Sequence, residues 1–376
     1  MFLRIRPAAG VALMGLLLST HQAEAQPVTI RTYPAQPIIA RDLHQQHLQF
    51  DFGLENTTDT SREITRIELV AFDAAGRMIR RQFIAATGAA SPGLLMFPER
   101  TIAAKARLSL FNPFHQLPVD EPVHRLHYTF IFGLAGLTPT DSATIDVLPI
   151  HYRQTIRLVP PVDGPTVVYD GHDIYSHHRR IPMGGELARR IGLDSNPVRY
   201  ANDFSPVGPN GDLAHGPIDV PANWYAYGAT VRAPGDGVVV SAVNDVAENR
   251  IDAGKLIMAP DSGTNETRQV QGNHVIIRHP NGLFSTMAHL KAGSVRVRAG
   301  DQVVAGEPIG QIGFSGDTGH HVHLHHMVTA AASFNTDGFP IYYDGVRRVR
   351  LPIGGRLGPV LHQVRLDTGD LFQAVR

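Results

Sequence analysis

The chain has 376 residues, enough for two or three domains that each bury a core, and 34 Lys and Arg balance 34 Asp and Glu exactly to a formal charge of zero. No basic surplus remains to supply phosphate contacts, so the composition argues against a nucleic-acid partner. With 36 Gly, 27 Pro and only 18% charged residues, long helices are unfavoured and a turn-rich β protein is expected.

In chain order, the first segment is MFLRIRPAAGVALMGLLLSTHQAEAQPV, in which Arg4 and Arg6 precede an apolar run and Ala23, Glu24 and Ala25 form an AxA pattern. This reads as a signal peptide over residues 1–25, with a periplasmic or secreted product. Its apolar core is too short to span a bilayer comfortably, and no later run reaches about 18 apolar residues, so no transmembrane anchor is expected. The chain has no Cys, which excludes a disulfide framework and a lipid-modified cysteine. Residues 26–157 then alternate apolar and polar positions in runs such as HLQFDFGLEN, ITRIELVAFD and HRLHYTFIFGL, the pattern of an antiparallel β-sandwich. Its histidines, among them His44, His47, His115, His124 and His127, form no tight pair and are read as ordinary strand positions. The stretch LVPPVDGP at 158–165 reads as a linker, and residues 158–376 as a second, also mainly β, domain. A polar insertion, residues 245–272, reads as a rim or loop.

Chemistry concentrates in the second domain. Eight of the 20 histidines lie between His274 and His326, most densely in HHVHLHHM at 320–327. On a strand, His321, His323 and His325 would share one face while Val322 and Leu324 enter the core. Two imidazoles on one such face can share a metal or a substrate, although a polar strand face is the commoner reading of HxH alone; a hydrolytic zinc site needs a third protein ligand and a position left for water. His289 ends a strand in FSTMAHL before a Gly-cornered hairpin. In RYANDF, Asp203 sits in an apolar strand, where a lone carboxylate is costly to bury and a metal would resolve the cost.

The succession RYANDF, GATVRAPGDGVV, AHL, VRAGDQVVAGEPIGQIGFSGDTG and HVH resembles the zinc-dependent peptidoglycan endopeptidases of the lysostaphin and LytM type, over about residues 170–345. That resemblance implies an antiparallel β-groove binding Zn2+ through a His, an Asp and the second His of HxH, with two further histidines handling protons. Transferred by position, it implies His178, Asp203 and His323 as metal ligands and His289 and His321 as catalytic residues. Arg199 occupies the position four before Asp203, where the family has its first ligand, so the SHHRR segment supplies His178, with His177 as the substitute. His321 pairs with His323, rather than His323 with His325, because Leu324 then takes the apolar position after the motif. The implied activity is hydrolysis of the peptide cross-links of cell-wall peptidoglycan, with peptide stems as the partner. Tyr225 and Tyr227 are candidates for a groove wall or for the core. The alternative is a catalytically inactive relative that binds cell wall or activates an amidase. Against a biotinyl- or lipoyl-type carrier, this chain has no Lys flanked by small or Met residues at the hairpin turn, and against a cupin, no Glu follows His323 within a few residues.

Overall fold

A computed structural model of the chain describes residues 26–85, 99–133, 139–183, 185, 188–189, 192–259, 266–353 and 358–376. The expected signal segment at 1–25 lies outside the described residues. The chain is mainly β, with 43% strand and 4% helix, and among the described residues no helix is long and apolar enough to cross a membrane.

Among the described residues two large hydrophobic cores form, one from residues between Val28 and Val147 and the other from residues between Leu158 and Phe372, beside two clusters of three buried residues each. In the first, the period-2 pattern does what the sequence implies. Strand Arg125–Gly133 buries Leu126, Tyr128, Phe130 and Phe132 and turns the intervening side chains outward. It pairs antiparallel with Arg62–Phe72 and Pro139–Val147. Phe50 and Phe52 of the facing sheet meet its aromatic rings edge-on at centroid distances of 4.9–6.0 Å, a geometry in which ring edges meet ring faces.

The second core lies against a nine-stranded sheet ordered Gln302–Val303, Gly237–Val243, Asn273–Arg278, Phe284–Leu290, Leu324–Thr329, Asn202–Pro206, Pro165–Asp170, Leu371–Ala374, Val346–Arg348. Its pairings are antiparallel, and local chemistry explains one of them directly. Asn281-Gly282 joins Asn273–Arg278 to Phe284–Leu290 through a tight turn, with Gly282 at φ 85°, a conformation glycine adopts without strain.

The Pro-rich stretch at 158–165 is not the free linker its composition suggests. Leu158 and Val162 are fully packed in the second core, and Val162 bridges to Val231. Prolines stop regular structure, but the apolar residues beside them bury too well to stay in solvent. The insertion at 245–272 contributes a hairpin, Arg250–Asp252 with Lys255–Ile257, and a short helix, Glu266–Gln271; its residues 260–265 lie outside the described set.

Candidate metal centre

Three adjacent central strands carry the site: Phe284–Leu290, Leu324–Thr329 and Asn202–Pro206. Every residue of Asn202–Pro206 is buried, so Asp203 holds its carboxylate out of water at 1% exposure. The antiparallel register sets Asp203 directly opposite His325 and sets Ala288 opposite His325 from the other side. The contact is therefore dictated by strand pairing. His325 Nδ1 donates to Asp203 Oδ1 at 2.9 Å. His178 Nε2 lies 3.5 Å from Oδ2, and His323 Nε2 lies 3.5 Å from Oδ1. Asp203 Oδ2 itself is buried without a hydrogen bond.

His178 opens a single 3-10 turn, His178–Arg180, and is buried, with its ring 4.9 Å from that of His325. Its Nδ1 is also buried without a hydrogen-bond partner. His177, beside it, is largely exposed and donates from Nδ1 to Asp170 Oδ2 at 2.5 Å. His289 ends its strand at φ 63°, a left-handed conformation that a non-glycine residue adopts only when its surroundings hold it there. What holds it is a hydrogen bond from Nδ1 to the Ser315 carbonyl at 2.9 Å, which leaves Nε2 as the free acceptor.

The histidine run divides by role. Val322 and Leu324 are fully buried in the core, and the strand starts only at Leu324. His323 donates from Nδ1 to the His321 carbonyl at 3.2 Å, and its ring centroid is 4.8 Å from that of His289. His321 lies before the strand, stacked between His323 at 4.0 Å and Tyr169 at 3.9 Å, with a buried Nε2 that has no hydrogen bond. His326 faces the other way and donates from Nδ1 to the Tyr343 hydroxyl at 2.7 Å. The scattered histidines of the first unit lie elsewhere; His47, for example, donates to Asp42 at 2.7 Å.

Burial keeps these imidazoles neutral. It pushes His178 down to about 4 and His289 to about 3, and it lowers His323 well below the usual histidine range. Burial alone would raise Asp203, but the neighbouring His178, His323 and His325 imidazoles hold it well below its ordinary value. Neutral imidazoles around an ionised carboxylate are the protonation state in which these groups ligate a divalent ion. Among the described residues, three triplets have ligand atoms within 4.8 Å of one another: His289, His323 and His325; His177, His178 and Asp203; Asp203, His321 and His323. The orphaned buried atoms on His178, Asp203 and His321 and this nitrogen-and-oxygen donor set fit zinc.

The structure thus brings His178, Asp203, His289, His321 and His323 into one cluster and adds His325, which belongs to the pairing that the spacing argument sets aside. Of the histidines in the run, His325 makes the shortest contact to Asp203. The signal that would have found it is the pairing of two strands 122 residues apart. Of the two tyrosines, Tyr225 is partly exposed near His215, and Tyr227 lies half-buried under the Lys291 ammonium, 4.7 Å from its ring centre.

Residues 215–335 match the sequence model of Peptidase family M23. No curated protein matches the chain. Similar solved structures include Csd3 of Helicobacter pylori, at 13% identity over 87% of this chain and 77% of that one, with a TM-score of 0.26. A zinc-containing peptidase from Vibrio cholerae is 13% identical over 78% of this chain and 81% of that one, with a TM-score of 0.21. The catalytic domain of the prophage-encoded M23 protein EnpA from Enterococcus faecalis is 21% identical over 31% of this chain and 75% of that one, with a TM-score of 0.17.

Proposed function

Because residues 215–335 form a Peptidase family M23 domain, we propose that this chain is a zinc-dependent endopeptidase that hydrolyses peptide cross-links of bacterial peptidoglycan outside the cytoplasm. In this reading residues 1–25 direct export, 26–157 form an accessory unit and 158–376 the peptidase unit. The observation that carries the reading is the Asp203 carboxylate, buried among imidazoles with one oxygen left without a hydrogen bond.

The ligand set we favour is His178, Asp203 and His325. Support comes from the 2.9 Å contact of His325 with Asp203 and the 4.9 Å approach of the His178 and His325 rings. The resemblance implies His323 as third ligand with His321 as its catalytic partner; we favour instead the pairing two residues on, His323 with His325, because His325 makes the shorter contact with Asp203. His289 and His323 then form the proton-handling pair. Each commits Nδ1 to a backbone carbonyl and keeps a neutral Nε2. Bound zinc would acidify a water and polarise the scissile carbonyl. His178 would offer Nε2 to the metal, and His325 would offer Nδ1 in the tautomer that carries its ring proton on Nε2. His289 Nε2 would accept a hydrogen bond from the attacking water and orient it, while His323 Nε2, unprotonated at rest, would take the proton that the water releases and deliver it to the departing amine nitrogen.

Zinc analysis and muropeptide release from purified sacculi test the proposal. The His325→Ala chain is expected to lose stoichiometric zinc and activity together. His323→Ala is expected to keep zinc while kcat falls by about 100-fold or more. The reverse pattern restores the His321 and His323 assignment. Stoichiometric zinc with no muropeptide released from any sacculus preparation overturns the peptidase reading in favour of a cell-wall-binding or amidase-activating protein.

A further inference from the structure

The first unit reaches the metal centre through one buried carboxylate. Asp51 lies on strand Asp51–Asn56, opposite Tyr33 on one side and Phe111 on the other, at 1% exposure. Its two oxygens are divided between two arginines of the second unit. Arg179 Nη1 donates to Oδ1 at 2.5 Å and Arg199 Nη1 donates to Oδ2 at 2.7 Å. Both arginines are essentially inaccessible to solvent, at 0% and 1% exposure.

Their positions in the sequence matter. Arg179 directly follows His178, and Arg199 comes four residues before Asp203. The same two segments are joined a second time where Asn196 Nδ2 donates to the His178 carbonyl at 2.9 Å. Nearby, Gln49 donates to the His172 carbonyl, Arg179 Nη2 donates to the Phe50 carbonyl at 3.1 Å, and Ser109 donates to the Met183 carbonyl, so this edge of the sandwich grips the whole turn that presents His178. That turn is one 3-10 turn of three residues with no side-chain cap, too short to fix its own orientation.

We propose that Asp51 is a positioning residue for the metal centre: by holding Arg179 and Arg199 together it sets the His178 turn against the Asp203 strand, so that the two ligands are aligned only when the sandwich is docked. The inference rests on the zinc-site reading above, and it makes the sandwich part of the site's outer shell. Groups that orient ligands from that distance typically change metal affinity by about 10–100-fold when removed. A buried ion cluster also contributes to folding, and removing one partner leaves the others uncompensated; replacing the whole cluster by apolar residues is far better tolerated.

That difference supplies the test, made on the chain without residues 1–25. Zinc dissociation constants from chelator competition, the visible absorption of the Co2+-loaded protein and thermal unfolding of the metal-free protein are measured for wild type, for Asp51→Asn and Asp51→Glu, and for the triple change Asp51→Leu, Arg179→Met, Arg199→Met. The expected result is a triple variant that unfolds within a few degrees of wild type yet binds zinc about 10–100-fold more weakly, with an altered Co2+ spectrum. Asp51→Glu should bind zinc more tightly than Asp51→Asn. A folded triple variant with wild-type zinc affinity and spectrum overturns the proposal while leaving the zinc site intact. A triple variant that cannot fold overturns it in favour of a purely structural staple. A wild-type chain that takes up no zinc removes both this inference and the reading it rests on.

Discussion

Replacing Asp203 with Asn keeps the side chain's shape and leaves Oδ1 able to accept from His325, but it removes the charge that draws a cation into the cluster. Zinc affinity should fall by more than about 100-fold, beyond the range of outer-shell changes, as read by chelator competition. The metal-free protein should unfold at the same temperature or higher, because a buried charge has been removed. A metal-free midpoint that drops sharply would show that the carboxylate matters for folding rather than for metal. The chemical types at this site were legible from residue order: a carboxylate in an apolar strand, a histidine ending AHL, and imidazoles alternating with Val322 and Leu324. The partner of Asp203 was not legible. Deciding between His323 and His325 requires knowing that the strand begins at Leu324 and that its second residue lies opposite Asp203, a long-range register that local spacing does not encode.

The turn at Ser315-Gly316 shows how an element aligns a side chain. Gly316 adopts φ 81° and backs onto Gly272, where an added Cβ on Gly316 would come within 2.4 Å of the Gly272 nitrogen. The turn sets the Ser315 carbonyl that fixes His289, while Ser315 Oγ donates to the Leu290 carbonyl at 2.7 Å. A Gly316→Ala chain must move backbone on both sides of that contact. It should therefore retain zinc while kcat falls about tenfold or more through misplacement of His289. Comparison of zinc content with turnover checks this, and unchanged turnover refutes it. Hairpins and buried strands were readable here because Gly, Asn and period-2 alternation act locally. Leu158–Pro165 was misread for the complementary reason: proline content describes the backbone, whereas the fate of Leu158 and Val162 depends on a distant core.

Across the molecule, many histidines are folded in the neutral form. Burial lowers His178 to about 4, and His289 and His326 to about 3, against an ordinary value of 6.5. The unfolded chain therefore takes up protons below pH 6.5 that the folded chain takes up only near pH 3–4. Stability is full above pH 6.5 and falls as pH drops through that window. For the metal-free protein, the Tm at pH 4.5 should lie at least about 3 °C below that at pH 7, and zinc should shift the onset of the loss to lower pH. A Tm that rises on acidification would contradict the neutral assignment of these imidazoles.

The anchoring of Leu158 and Val162 has a mechanical corollary. With the connecting segment packed into the core of the second unit on one side and Asp51 held by Arg179 and Arg199 on the other, the seam is tied at two places. The two halves cannot part there without stripping two guanidinium groups of their counter-charge. Small-angle X-ray scattering profiles with and without zinc should therefore superimpose.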